Sequence, residues 1–174
     1  DGKYRFNLRP NFKYNLSVDI PDKNFISPVL NISTFGLTVS TKLIYNLPVY
    51  CDGDIVKIEN MVFTPDSYTI SPQAATELDK IAGLLNIYPK MEIELRSHTD
   101  SRGDHNTNIV LSTHRAQAAL NYLISKGIDA RRLSSKGFGE TIPINKVKNG
   151  LPCTELKYQQ NRRNEFKIIL PDLP

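Results

Sequence analysis

Cysteine is scarce in this chain, long apolar runs are missing, and neither sign of charge dominates; each shortage removes a class of function. No stretch approaches the roughly 18 uninterrupted apolar residues of a membrane-spanning helix. No hydrophobic leader or lipid-attachment cysteine stands ahead of the first residues. The opening Asp1-Gly2-Lys3-Tyr4-Arg5-Phe6 reads instead as a turn running into a strand, as expected of a piece of a longer protein, in which any export signal would lie upstream. Lysine and arginine total 22 against 18 aspartates and glutamates, a net charge of +4. These basic residues are spread along the chain rather than gathered in a stripe, so nucleic acid is not the default partner.

The two cysteines, Cys51 and Cys153, lie far apart and match no metal spacing. Two readings stay open: a pair of thiols, or a disulfide that an oxidising compartment favours. A loop of that length would stabilise the fold by about 4–5 kcal/mol in the chain-entropy model. His98, His105 and His114 show neither HxxxH nor HExxH spacing, and no metal is expected. Ser112 lacks any G-x-S-x-G context, and no carboxylate pair for hydrolysis stands out, so no catalytic residue is expected. Gly137-Phe138-Gly139 lacks the third glycine of a dinucleotide fingerprint and reads as a tight turn, so no cofactor is expected. Arg102-Gly103-Asp104 spells an integrin-type tripeptide by coincidence.

What is present is the material of a folded core. The 174 residues are 40% hydrophobic and 23% charged, which argues against disorder and fits one ordinary domain, or a small domain with part of another. The pattern changes near residue 50. Before it, Tyr4, Phe6 and Leu8 alternate with Arg5, Asn7 and Arg9, and Tyr14, Leu16 and Val18 repeat the alternation after the Pro10-Asn11 punctuation. Further runs at Phe25–Ile32 and Leu37–Tyr45 complete about four short strands, a piece of a β-sandwich.

After residue 55, strand and helix patterns alternate. Val56–Ile58 and Met61–Phe63 form a strand region. Ser71 is placed to cap a helix that Pro72 opens, and Ala74, Ala75, Leu78, Ile81, Ala82 and Leu85 recur at helical spacing until Pro89. Met91–Arg96 alternates cleanly as a strand, a second helix runs from about Asn106 to Lys126 and stops at Gly127, and Leu133–Phe138 and Asn164–Leu170 supply two more strands. The predicted fold class is α/β (α+β), a βαβαβ…β sandwich with a mixed sheet and helices on one face. Residues 1–50 form the partial all-β segment and linker, and 51–174 the α/β domain.

Three segments carry the chemistry. They are Ser97-His98-Thr99-Asp100-Ser101-Arg102-Gly103, Asn108-Ile109-Val110-Leu111-Ser112-Thr113-His114-Arg115-Ala116, and Asn161-Arg162-Arg163-Asn164-Glu165-Phe166. With Phe63-Thr64-Pro65 and Gly137-Phe138-Gly139-Glu140 they resemble, in order and spacing, the OmpA/Pal/MotB C-terminal family, whose strings are GHTD-x-x-G, N-x-x-LS-x-x-RA and NRR-x-E. The resemblance runs from about Val56 to Leu170. Ser97 replaces the family's Gly, His114 occupies a variable position, and Asn164 stands where an aliphatic residue or Thr is common.

The resemblance implies non-covalent binding of peptidoglycan through the diaminopimelate of its stem peptide. That group carries an ammonium and a carboxylate on one carbon, so it needs an anion and a cation held close together. In the family pattern Asp100 takes the ammonium, and Arg115 takes the carboxylate through a bidentate fork that lysine cannot reproduce. Asn108 braces the loop or touches the ligand. Phe63 and Thr64 provide a wall and backbone hydrogen bonds, and Thr99 adjoins Asp100. Of Arg162 and Arg163, one locks the last strand against the loop and the other is solvated or near the ligand; Arg163 is counted with the site.

The opening string DGKYRFNLRPNFKYNLSV resembles the carboxypeptidase regulatory-like domain, a resemblance that covers about the first 45 residues. Asn149-Gly150-Leu151-Pro152-Cys153 and the NRRNEF ending resemble Bacteroidetes versions, which implies a periplasmic wall anchor of type IX secretion machinery at the outer membrane. The rival reading is a protein–protein interaction module that keeps the fold and has lost the ligand. Loss of the Asp–Arg pair would be its signature, and Asp100 and Arg115 are both present.

Overall fold

The computed structural model describes residues 5–18, 24–37, 44, 48–145, 147 and 153–171. The chain divides into two compact units, Asp1–Cys51 and Asp52–Pro174. In the first, β1 (Lys13–Leu16) pairs antiparallel with β3 (Leu30–Ser33), and β2 (Phe25–Ile26) pairs antiparallel with β4 (Tyr50–Cys51). Buried Thr34 closes the first ladder: its Oγ1 donates to Arg9 O at 2.7 Å and accepts from Phe12 N at 3.0 Å.

The expected strands differ here in instructive ways. Arg5–Leu8 alternates but enters no ladder, because alternation alone supplies no partner edge. The Phe25–Ile32 run is cut in two at Pro28, which has no N–H to give a ladder. Tyr4 and most of Leu37–Tyr45 lie outside the described residues.

The second unit orders its elements as β5 (Ile55–Ile58), α1 (Pro72–Ile87), β6 (Glu92–His98), α2 (His105–Ser125), a 3-10 turn (Ala130–Arg132), β7 (Leu133–Gly137), α3 (Glu155–Asn161) and β8 (Arg163–Ile169). Its four-stranded sheet has the order β5-β8-β6-β7, with β6 and β7 parallel and the other pairs antiparallel. The α/β class and mixed sheet are therefore as the periodicities indicate. Among the described residues no helix is long and apolar enough to cross a membrane.

The core forms where the periodicities meet. Ala74, Leu78, Ile81, Ala82 and Leu85 make one face of α1, and Ala116, Ala119 and Leu123 the inner face of the C-terminal half of α2. Buried Ile93 and Leu95 of β6 stand opposite Ile168 and Phe166 of β8. The helix ends follow local chemistry: Ser71 Oγ accepts from Ala74 N at 3.2 Å, Asp104 Oδ1 accepts from Thr107 N at 2.9 Å, and Gly127 leaves α2 with φ of 88°. Asp104, the acid of the Arg-Gly-Asp tripeptide, is thus a helix cap.

Met61–Phe63 is not a strand. Asn60 takes a left-handed φ of 54° and turns the chain out of the sheet after Ile58. Asn164, paired with Ile58 at the end of the ladder, sends its side-chain Nδ2–H to Met61 O at 2.8 Å in place of a further backbone bond. α3 was not anticipated: it is short and mostly polar, with only Tyr158 and Asn161 buried. Asn161 ties it to the preceding loop, accepting from Ile144 N at 2.9 Å and donating to Asn145 Oδ1 at 2.9 Å.

Two contacts set the helices on the sheet. α1 has no basic residue in its last turn, and Arg132 supplies the missing cation from the far side of the fold. Its Nη2 donates to Leu85 O and Tyr88 O at 2.7 Å each and to Met91 O at 2.8 Å, while Nε reaches Met91 O at 2.9 Å. A cation at a helix C-terminus with several charge-assisted bonds contributes about 2 kcal/mol. The second contact is at Gly137, where an added Cβ would lie 2.2 Å from Thr113 N, a backbone atom of α2. We expect Arg132→Ala to lower unfolding stability by about 2 kcal/mol in urea titrations followed by circular dichroism. Gly137→Ala, which must push a helix off the sheet, is expected to cost more than Arg132→Ala in the same assay.

Candidate binding site

At the C-terminal end of β6 the chain turns through residues 99–104 into α2, and this turn is held from three sides. Thr99 N donates to Gly139 O at 2.9 Å. Gly139 N donates in turn to Ser112 Oγ at 2.9 Å, and Ser112, buried in mid-helix, donates to Ile109 O at 2.9 Å. Asn108 donates its Nδ2–H to Arg102 O at 3.0 Å and Asp100 O at 3.4 Å, so its amide braces the turn. Asn108, Ser112 and Arg115 lie on one face of α2, a buried polar stripe preceding the apolar one.

Asp100 is buried, and its carboxylate is saturated. Oδ1 accepts from Arg102 N at 2.9 Å and Arg102 Nε at 3.1 Å; Oδ2 accepts from Arg102 Nη2 at 2.7 Å and Arg162 Nη1 at 2.5 Å. Glu155 closes the ring, 3.0 Å from Arg102 Nη1 and 2.6 Å from Arg162 Nη2. Two carboxylates and two guanidiniums thus alternate, and the Arg102 guanidinium also sits 4.3 Å over the Tyr158 ring. Burial pushes the Asp100 carboxyl up, but the hydrogen bonds from Arg102 and Arg162 outweigh it and hold the group below the usual carboxylate range. The hydroxyls of Thr99 and Ser101, on either side of Asp100, are buried and have no hydrogen-bond partner among the described residues.

Arg115 is treated differently. Only 7% exposed, it donates through Nε to Ser67 O at 2.8 Å and through Nη2 to Thr64 O at 3.1 Å, and its guanidinium lies 5.1 Å over the Phe63 ring. These partners are neutral. No carboxylate pairs with it among the described residues, and Nη1 has no partner there. Burial lowers its pKa, with Arg162 adding like-charge repulsion and Asp66 opposing both. This side chain and the edge-on contact of Tyr68 with His114, 5.2 Å between ring centroids, hold the loop carrying Phe63, Thr64 and Ser67 onto α2, and Asp66 in it takes a φ of 52°.

The structure therefore brings Phe63, Thr64 and Arg115 into one group, and Thr99, Asp100 and Asn108 into another, with Arg162 electrostatically coupled to both Asp100 and Arg115. Arg163 is not in either group. It begins β8 opposite His98, donates through Nε to Glu165 and through Nη1 to Ile142 O at 3.1 Å, and its side chain is buried. Successive residues of an extended chain point to opposite sides, so Arg162 turns to the loop and Arg163 away from it. Arg102, Arg162, Glu155 and Tyr158 complete the network; the sequence offers Arg102 within the Ser97–Gly103 segment without a role, and the paired arginines at 162 and 163 with their order open. Cys51 and Cys153 are both thiols, not the disulfide that one reading allowed; they belong to the two different units.

His98 lies behind the turn, 2% exposed, its ring stacked 5.1 Å from that of Phe138. Nε2 is 3.2 Å from Glu165 Oε2 but misses hydrogen-bond geometry. Desolvation, reinforced by Arg163 and opposed by Glu165, drives its pKa down to about 4.

This second unit has the fold of the OmpA/Pal/MotB C-terminal domains. The OmpA family model matches residues 62–151, and the chain belongs to that family. It is 35% identical over 109 residues to the probable lipoprotein YiaD of Escherichia coli (strain K12), covering 63% of this chain and 48% of that one. It is also 35% identical over 115 residues to the peptidoglycan-associated lipoprotein of Haemophilus influenzae, covering 66% of this chain and 72% of that one. The solved peptidoglycan-associated lipoprotein of Burkholderia pseudomallei superposes with a TM-score of 0.54 at 26% identity, over 66% of this chain and 88% of that one. The chain spans about half the length of YiaD.

The His98 environment yields a pH dependence of definite sign. An unfolded histidine protonates near its ordinary pKa of 6.5, whereas folded His98 waits until about 4. In between, the unfolded state binds more protons, so this contribution to stability is intact above about pH 6.5 and declines as pH falls toward 4. The check is the urea midpoint between pH 7.5 and 5: we expect a fall in the parent protein and a shallower fall in His98→Gln.

Proposed function

We propose that the second unit binds peptidoglycan non-covalently through the diaminopimelate of the stem peptide and performs no catalysis. The observation that carries this reading is Arg115: a buried guanidinium whose fixed partners are neutral carbonyls and whose Nη1 is uncommitted toward protein among the described residues. Asp66 acts on it only at a distance, without an ion pair, and a buried cation so placed is costly unless something anionic arrives to pair with it. The stem's free carboxylate is such a group, and Phe63 and the Thr64 carbonyl fix the plane of the fork that receives it. Asp100 supplies the anion for the adjoining ammonium, while the hydroxyls of Thr99 and Ser101 offer neutral hydrogen bonds beside it. Arg162, rather than Arg163, is the second arginine of the site. The names of the two lipoprotein relatives, "peptidoglycan-associated", support the same ligand.

In this reading the domain is a periplasmic tether that fixes an outer-membrane assembly to the cell wall. Type IX secretion machinery is the assembly we propose, on the resemblance of Asn149-Gly150-Leu151-Pro152-Cys153 and the NRRNEF ending to Bacteroidetes versions. The interaction-module reading lacks its signature, loss of the Asp–Arg pair, because Asp100 and Arg115 are both present.

The test is co-sedimentation with purified diaminopimelate-type sacculi. The full chain is expected to pellet with the wall, and Arg115→Ala and Asp100→Ala to lose most of that binding. A parent chain that stays in the supernatant while a peptidoglycan-associated lipoprotein control pellets would sink the reading in favour of the interaction module.

A further inference from the structure

We infer that Arg102 is an intramolecular stand-in for the ligand's ammonium, and that binding exchanges one cation for the other on Asp100. This rests on the peptidoglycan reading above. A carboxylate offers about four lone-pair sites, and all four of Asp100 are filled by Arg102 N, Arg102 Nε, Arg102 Nη2 and Arg162 Nη1. An incoming ammonium has no place on Asp100 until a donor leaves. The other two donors are poor candidates. Arg102 N is a backbone donor fixed by the turn that Asn108 braces, and the Arg162 guanidinium gives Asp100 its shortest bond, 2.5 Å, while its other arm bonds Glu155 Oε1 at 2.6 Å.

The Arg102 guanidinium is the movable part. Its side chain is 49% exposed against 34% for Arg162, and it occupies two of the four sites, one on each oxygen. When it lets go it is not stranded. Nη1 already bonds Glu155 Oε2 at 3.0 Å, and the guanidinium already rests over Tyr158, so a small rotation leaves it paired at the rim. Because a cation replaces a cation, Asp100 is never bare and the charge balance of the ring is kept. The exchange also selects its ligand: a group without positive charge, such as an acylated amine, forfeits Arg102 and returns nothing to Asp100. Arg102 is therefore a specificity-determining residue that acts by competition, with Glu155 and Tyr158 as its parking place.

The experiment is calorimetric titration of the full chain with free meso-diaminopimelate. Removing the competitor in Arg102→Ala is expected to tighten binding by about twofold to fivefold, the range of a half-exposed ion pair. Arg115→Ala serves as the control for the parent reading. If parent and Arg102→Ala bind equally, or the variant binds more weakly while Arg115→Ala still abolishes binding, the exchange is wrong and the peptidoglycan reading survives. If neither parent nor variant binds, both fall together. A second readout does not depend on the variant folding: the Arg102 Nε–H resonance of the parent protein should shift on saturation with diaminopimelate. An unmoved resonance in the bound state overturns the exchange.

Discussion

The close approach of α2 to β7 is the contact on which the site depends. Gly137 has no Cβ because Thr113 N occupies the place where one would stand, and Ser112 Oγ then reaches Gly139 N across the same gap. Gly139 O in turn receives Thr99 N, which ends β6 one residue before Asp100. A glycine, a mid-helix serine and a backbone bond thus locate the binding turn relative to the helix that carries Asn108 and Arg115. Had the helix stood an ångström or two farther out, Asn108 would release the turn and Arg115 would lose Ser67 and Thr64. Rigid positioning of this kind lets a small polar ligand bind without ordering the protein first.

Within that frame the two charges are handled by opposite means. Asp100 is surrounded by donors until its proton is lost well below neutral pH, and Arg115 is surrounded by carbonyls that cannot neutralise it. The first arrangement stores attraction inside the protein; the second leaves it open to whatever enters. In the proposed reading a zwitterion suits this pair because its two ends meet two different kinds of site, one that must be vacated and one that waits. Arg162 connects them, bonded to Asp100 and repelling Arg115, so that neutralising Arg115 with a carboxylate also relieves Arg162.

Much of this was legible in the sequence. Both long helices announce themselves through apolar spacing and caps at Ser71 and Gly127, and β6 and β8 through alternation, because each element buries one face and the period records it. Asp100, Asn108 and Arg115 stand out in the sequence through the resemblance of their segments to the family's strings. What was not legible came from side chains whose partners are distant in sequence. Met61–Phe63 looks like a strand until Asn60 turns the chain, and Arg162 and Arg163 are indistinguishable until the side of the sheet is known. α3 has too few apolar residues to show a period, yet it carries Glu155 and Tyr158. The first unit is the poorest read, because Pro28 divides what alternation joins and a lone alternating segment says nothing of its partner.

His98 shows why the motif extends behind the site as well as into it. Its ring fills the space under the turn, stacked on Phe138, while Arg96 and Lys136 lie over that same phenyl ring at 4.4 and 5.0 Å. Arg163 and Glu165 close the other side, so a largely buried charged pair flanks a histidine kept neutral. A neutral, flat, stacked ring supports the backbone of Thr99 and Asp100 without adding a third cation near Arg162 and Arg102. A lysine or arginine there would compete for Asp100 from below, and an aliphatic side chain would give up the stacking. The residue before the binding turn is therefore constrained by electrostatics and shape together, although it touches none of the groups that bind.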